Sequence, residues 1–263
     1  MAKAPRYAIG IDIGGTGIKG GLVDLKKGKL VGERIKQKTP TGAAIADVRD
    51  AVVSVVRQVR DQEAAAETVD ATELPIGLCM PAIIRQGVAW SAANIAAEWI
   101  GFDAREMFAE ALEGPVSLVN DADAAGFAEV KYGRATDEPG SVMVLTLGTG
   151  IGSALIYSGQ LFPNTELGHM ELDGHVDYEK YASSKVRERE GLDDAAWCAR
   201  LTPYFKKLEE LFAPELFIIS GGISKRADEF IPLIAVDTPI VGAKLKNNAG
   251  IIGAALLGAR RWN

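Results

Sequence analysis

A four-residue segment occurs twice in this 263-residue chain: Gly15-Thr16-Gly17-Ile18 returns as Gly148-Thr149-Gly150-Ile151, 133 residues later. Each copy follows a short apolar run that reads as a buried strand, Tyr7–Ile13 and Val142–Leu147. Each precedes more strand-like sequence rather than a helix. Such a repeat implies a duplicated α/β unit, with a cleft expected between the two copies.

The rest of the pattern fits that plan. In the first half, Leu22–Asp24 and Leu30–Lys36 read as strands joined at Lys26-Lys27-Gly28. Ile45–Gln58 has helical apolar spacing, Leu74–Cys79 is a strand, Phe102–Leu112 is helical and Val116–Val119 is a short strand. The second half offers Ser153–Tyr157, a helix over Trp197–Phe212, the strand Leu216–Ser220 and a C-terminal helix over Ile251–Arg261. The boundaries expected are 6–119, completed by 250–263, for a small N-terminal domain, and 120–249 for a larger one.

Three glycine loops end strands: Gly14 to Gly17, Gly148 to Gly152, and Gly221-Gly222. Backbone N–H groups at such points can bind phosphate oxygens. Tight turns are the plain alternative for any one of them. Gly15 to Gly20 also satisfies GxGxxG, a dinucleotide fingerprint, but that fingerprint needs a helix next, and Gly21-Leu22-Val23-Asp24 and a turn follow instead. Asp12 would also set a negative charge near a pyrophosphate.

Asn120-Asp121-Ala122-Asp123 follows a strand and opens a helix over Ala122–Tyr132. Asp121 or Asp123 could simply cap that helix. Alternatively, Asp121 accepts a proton from an alcohol while Asn120 holds a neighbouring hydroxyl, the arrangement phosphoryl transfer requires. Glu166-Leu167-Gly168-His169 places an acid and an imidazole three apart around a glycine, which suits a bend aimed at one polyol.

Bulk properties exclude other classes. The formal net charge of −6 offers no basic surface to nucleic acid or an anionic membrane. No apolar run approaches the roughly 20 residues of a membrane span, and MAKAPRYAIG lacks a signal-peptide pattern. With two cysteines, Cys79 and Cys198, and no CxxC, a reduced, cytoplasmic setting is expected.

Asp12 to Thr16, Asn120 to Ala122, Gly148 to Gly152, Glu166 to His169 and Ser220-Gly221-Gly222-Ile223-Ser224 occur in an order and spacing that resemble the ROK family of sugar kinases and related repressors. The resemblance covers about residues 6–260. It implies an α/β fold of two actin-like (ribonuclease H-like) domains around a central cleft. It implies Asp121 as the base, and Ser91, Asn94, Asn120, Glu166, His169 and Glu188 as sugar contacts, although Glu188 lies in a charged segment that reads equally as a solvated helix face. Phosphate or nucleotide contacts are implied for Asp12, Gly14, Gly15, Thr16, Gly17, Gly148, Thr149, Gly150, Gly152, Gly221 and Gly222. Lys19 is placed to touch the donor, or to be a solvated lysine, and Asp12 is the candidate for holding Mg²⁺ through water. The family's repressors carry an N-terminal helix-turn-helix, whereas about six residues precede the first strand here.

Two departures refine the resemblance. Many members bind zinc through the ExGH histidine and three cysteines, whose positions here hold Glu179, Tyr181 and Val186, so no zinc is expected. After Thr16 the chain reads Gly17-Ile18-Lys19 rather than lysine. With Leu161-Phe162-Pro163-Asn164-Thr165-Glu166 and Ala182-Ser183-Ser184, that resembles the branch using inorganic polyphosphate, in some members also ATP, to phosphorylate glucose and sometimes mannose. The oligomeric state stays open, a homodimer included.

Overall fold

The computed structural model describes residues 5–65, 74–92 and 95–260. The chain divides into two compact units, Met1–Ala128 with Asn248–Asn263, and Glu129–Asn247.

The first unit begins with β1 (Tyr7–Ile13), β2 (Gly17–Asp24) and β3 (Lys29–Lys38), an antiparallel meander. After α1 (Ile45–Ala65), β4 (Ile76–Met80) pairs parallel to β1. A small hairpin, β5 (Ile84–Arg85) and β6 (Val88–Ala89), leads to α2 (Ala104–Ala111). Then β7 (Val116–Asn120) pairs parallel to β4, and α3 (Asp121–Tyr132) follows at once. The sheet order is β3-β2-β1-β4-β7.

The second unit repeats this order. Antiparallel β8 (Ser141–Leu147), β9 (Ile151–Tyr157) and β10 (Gln160–Phe162) come first. Two short helices, α4 (Glu179–Ala182) and α5 (Ser184–Glu190), precede α6 (Asp194–Phe212). Next come β11 (Leu216–Ser220), parallel to β8, then α7 (Ala227–Phe230) and β12 (Ile240–Gly242), parallel to β11. The order is β10-β9-β8-β11-β12. Each copy of the repeated tetrapeptide thus sits at the turn between the first two strands of its sheet, so the duplication read from four residues holds at the level of topology.

The chain returns to the first unit as α8 (Ala249–Ala259). Its mean composition is apolar all round because eight of its residues are buried. It packs on β1 and β4 where Gly10 and Gly77 leave no Cβ; a side chain at either would strike the carbonyls of Ile251 and Ala254. The opposite face takes α1, whose Val55 meets Ile11 beside Gly20. Coverage on both faces explains why β4, and β1 apart from Asp12, read as apolar runs instead of alternating. Trp99 anchors this core, its indole N–H donating to the Ala43 carbonyl at 2.9 Å. In the second unit, Trp197 on α6 does the same to Ala182 at 2.8 Å.

Several elements outrun their sequence reading. β2 and β9 begin at Gly17 and Ile151, directly after their loops, because cross-strand pairing extends to the turn. α1 continues to Ala65, beyond Gln58. The expected end of the C-terminal helix at Arg261 lies outside the described residues. Among the described residues no helix is long and apolar enough to cross a membrane.

Candidate active site

In the first unit, β1 and β2 close around Gly15-Thr16. The Gly14 N–H donates to the Gly17 carbonyl at 3.1 Å, a tight hairpin closure that leaves Gly15 and Thr16 exposed. Thr39, just past β3, ties this loop down: its hydroxyl donates to the Gly14 carbonyl at 2.5 Å. A groove of about 470 Å³ opens here, lined by Gly15, Thr16, Lys38, Thr39 and Thr41 among others.

Asp12, two residues before the loop, is partly buried. Its Oδ2 accepts from Lys19 Nζ at 2.9 Å, across the β1–β2 register. Its Oδ1 lies 3.9 Å from the Cys79 Sγ on β4. Burial pushes the Cys79 thiol well up, and the Asp12 and Asp121 carboxylates push it further. It therefore remains a thiol, able to donate weakly to Asp12.

Asp121 is the first residue of α3, immediately after β7, and is partly exposed. Asn120 caps the helix: its Oδ1 accepts from the Ala122 and Asp123 N–H groups at 2.8 and 3.1 Å. Its Nδ2 donates to the Ala82 carbonyl at 3.2 Å. Ser91 Oγ accepts from the Ile83 N–H at 2.8 Å. Asn120 and Ser91 thus hold one backbone stretch, 82–83, from two directions. The cap falls on Asn120, while Asp121 Oδ1 accepts from the Ala122 N–H at 2.9 Å. Asn94 lies outside the described residues.

The second unit builds its loop likewise. Gly148 N–H donates to the Gly150 carbonyl at 3.0 Å, and Thr149 is exposed between them. Two later elements brace this loop. Lys185 N–H at the start of α5 donates to the Gly148 carbonyl at 3.0 Å, and Glu179 Oε2 on α4 accepts from the Ile151 N–H at 2.9 Å. Gly152, one residue on, lies within β9. At the third loop, Ser224 Oγ donates to the Gly221 carbonyl at 2.8 Å, and Gly222 starts a 3₁₀ turn.

Glu166 and His169 are brought together beside the Gly148 to Gly152 loop and β9. Ser153 on β9 knots the segment: its hydroxyl donates to the Thr165 carbonyl at 2.8 Å and accepts from Leu167 N–H at 3.1 Å. Gly168 then packs on the Ile151 carbonyl so closely that a side chain would collide with it. The resulting 3₁₀ turn, Leu167–His169, sets His169 Nε2 3.7 Å from Glu166 Oε2. On its other side, His169 Nδ1 lies 3.0 Å from Asp177 Oδ1. Asp177 is itself held low by hydrogen bonds from Lys180 and His169. Burial raises the Glu166 carboxyl, which His169 opposes and Glu179 reinforces. Glu188 is exposed on α5, and among the described residues no ion pair involves it.

Sequence reasoning missed Thr39, Ser153, Asp177 and Glu179 as supports. None stands in a motif, and each meets its partner only through the fold. Of the three positions that hold cysteines in zinc-binding members, Glu179 braces the second loop, Tyr181 stacks on His175 at 3.7 Å, and Val186 is buried. Among the described residues no group of three or more His, Cys, Asp or Glu could hold a metal ion.

Two sheets of the same strand order with exposed glycine turns, and Asp121 opening a helix directly after β7, fit the actin-like two-domain architecture of sugar kinases. The ROK family model matches residues 8–199, and the chain belongs to that family. More particularly, it is 43% identical over 256 residues to the polyphosphate glucokinase of Mycobacterium tuberculosis (strain CDC 1551 / Oshkosh), covering 97% of this chain and 92% of that one. The crystal structure of the inorganic polyphosphate/ATP-glucomannokinase from Arthrobacter sp. strain KM superposes with a TM-score of 0.91 at 51% identity, covering 97% of this chain and 99% of that one. A ROK family glucokinase from Streptomyces griseus, solved with glucose and AMPPNP, shares the fold at 23% identity and a TM-score of 0.78, covering 95% of this chain and 98% of that one.

Proposed function

We propose that this chain phosphorylates glucose at its 6-hydroxyl with inorganic polyphosphate, ATP or both as donor, and takes mannose as a further acceptor. The observation that carries the catalytic assignment is the β7–α3 junction. There Asn120 supplies the helix cap, and Asp121, the partly exposed first residue of α3, follows at the carboxyl end of β7. Asp121 takes the proton of the attacking hydroxyl as the terminal phosphoryl group transfers in line. The backbone at the exposed turn residues Gly15, Thr16 and Thr149, with the Thr16 and Thr149 hydroxyls, stabilises charge on the phosphoryl oxygens. Gly221 and Gly222 serve the nucleotide when ATP is the donor.

Glu166 and His169 bind sugar hydroxyls as a pair, with Glu188 and Asn94 as further contacts. Asn120 and Ser91 contact the sugar from the segment they themselves stabilise. Asp12 suits a magnesium ion in donor chemistry: it is a hard carboxylate, and Mg²⁺ commonly takes one or two carboxylates plus water and donor phosphates. Bound there, Mg²⁺ would neutralise charge on the donor's terminal phosphates.

A coupled assay for hexose 6-phosphate, run with ATP and polyphosphate side by side, tests the proposal. Product from both donors with glucose is expected. Product from ATP alone would reduce the reading to an ATP-dependent hexose kinase. No product from either would leave a non-catalytic sugar sensor.

A further inference from the structure

The first unit carries a cationic stripe that leads away from its glycine loop. β3 is an edge strand, and Arg34, Lys36 and Lys38 recur on it every second residue, so they share one face and all are exposed. The register pairs Lys38 with Gly17 and Lys36 with Lys19, which puts the stripe on the same face as Asp12. Lys36 leans toward the loop: its Cε lies 3.5 Å from where a Cβ on Gly17 would be. Lys38 lines the groove of about 470 Å³ with Gly15 and Thr16. At the far end, Arg34 Nη1 donates to Asn248 Oδ1 at 3.1 Å. Lys19 is neutralised by Asp12 at 2.9 Å, whereas among the described residues neither Lys36 nor Lys38 forms an ion pair.

Edge strands commonly carry lysine to block pairing with other chains. That accounts for Lys29 at the other end of β3. It does not account for two cations converging on one exposed glycine turn, with a groove beside them.

We propose that Lys36, Lys38 and Arg34 form the track along which a polyphosphate chain runs once its terminal phosphoryl group is seated at Gly15-Thr16. This rests on the donor reading above. At roughly 3.4 Å per residue, Arg34 to Lys38 spans about 14 Å, enough for several phosphoryl units past the reacting one. Polyphosphate has no base to recognise, so repeated cations along its path are the chemistry that would hold it. ATP has no such tail.

The test compares wild type, Lys36→Ala/Lys38→Ala, the charge-preserving Lys36→Arg/Lys38→Arg and the distal control Lys29→Ala with each donor. Two exposed ionic contacts are worth about a tenfold change together. The alanine pair is expected to lower polyphosphate kcat/KM about tenfold, and more for long chains than for tripolyphosphate, with a clearly smaller loss for ATP. Its polyphosphate activity should also fall less steeply with added salt, since fewer ionic contacts remain to be screened. The arginine pair should retain activity, and Lys29→Ala should behave as wild type. Unchanged polyphosphate kinetics in the alanine pair, or an equal loss with ATP, overturns the track alone. A wild-type protein that makes hexose 6-phosphate from ATP and none from polyphosphate overturns the donor reading, and the track with it.

Discussion

Asp121→Asn separates chemistry from structure. Asp121 Oδ1 accepts from the Ala122 N–H at 2.9 Å, and an asparagine oxygen accepts it equally well. Helix capping belongs to Asn120 and is untouched. What changes is a negative charge in the first turn of α3, worth about 0.3–1 kcal/mol against the helix dipole, and the capacity to take a proton. Loss of a general base costs roughly 10²–10⁴ in rate, or about 3–5 kcal/mol of barrier. The catalytic term therefore exceeds the stability term several-fold. Turnover should collapse while the melting temperature drops by a few degrees at most. Glucose affinity, measured by calorimetry, should stay near wild type. The assay is single-turnover and steady-state formation of glucose 6-phosphate with each donor. Turnover within tenfold of wild type would refute Asp121 as the base. A variant that no longer binds glucose would recast Asp121 as a binding group.

Burial raises the Glu166 carboxyl, so its ionised form costs stability that appears as pH climbs from the ordinary glutamate value through the raised one. Glu166→Gln should therefore melt like wild type near pH 4 and above it near neutrality, and a pH-independent difference would sink this. His169→Ala, and Asp177→Ala through loss of the 3.0 Å contact that orients the ring, should raise the glucose KM more than the donor KM; equal effects would count against both roles. Both thiols are buried and raised, Cys198 to about 11, so neither should react with a thiol reagent at pH 8 until the protein unfolds; rapid labelling of native protein would contradict the packing. Elemental analysis of the purified protein should find no stoichiometric zinc, and one zinc per chain would refute that expectation.

The main strands and helices, the duplicated plan and the glycine turns were legible in the sequence because they rest on local signals: apolar runs closed by glycine, and a tetrapeptide occurring twice. The pairing of Glu166 with His169 was legible for the same reason, since they lie three residues apart around Gly168. The supports were not. Asp177 meets His169 across a non-helical segment, with its own φ at 53°, and Glu179 reaches back to Ile151 over 28 positions. Only tertiary contact reveals such partners. Asn120 was read as a sugar contact with capping assigned to its neighbours, yet a residue ending one strand and opening one helix must satisfy the helix N–H groups first. The lysines of β3 gave no signal until the register set them beside Gly17.

The separation of α8 from the strands it covers has a consequence for biosynthesis. On the ribosome, every residue of Glu129–Asn247 emerges before α8 does. The second unit can mature while the earlier-made sheet still has one apolar face, around Gly10 and Gly77, open to water. The half that is translated first is thus the half that finishes last. Until residues 249–259 dock, its nascent form exposes the kind of surface that chaperones bind.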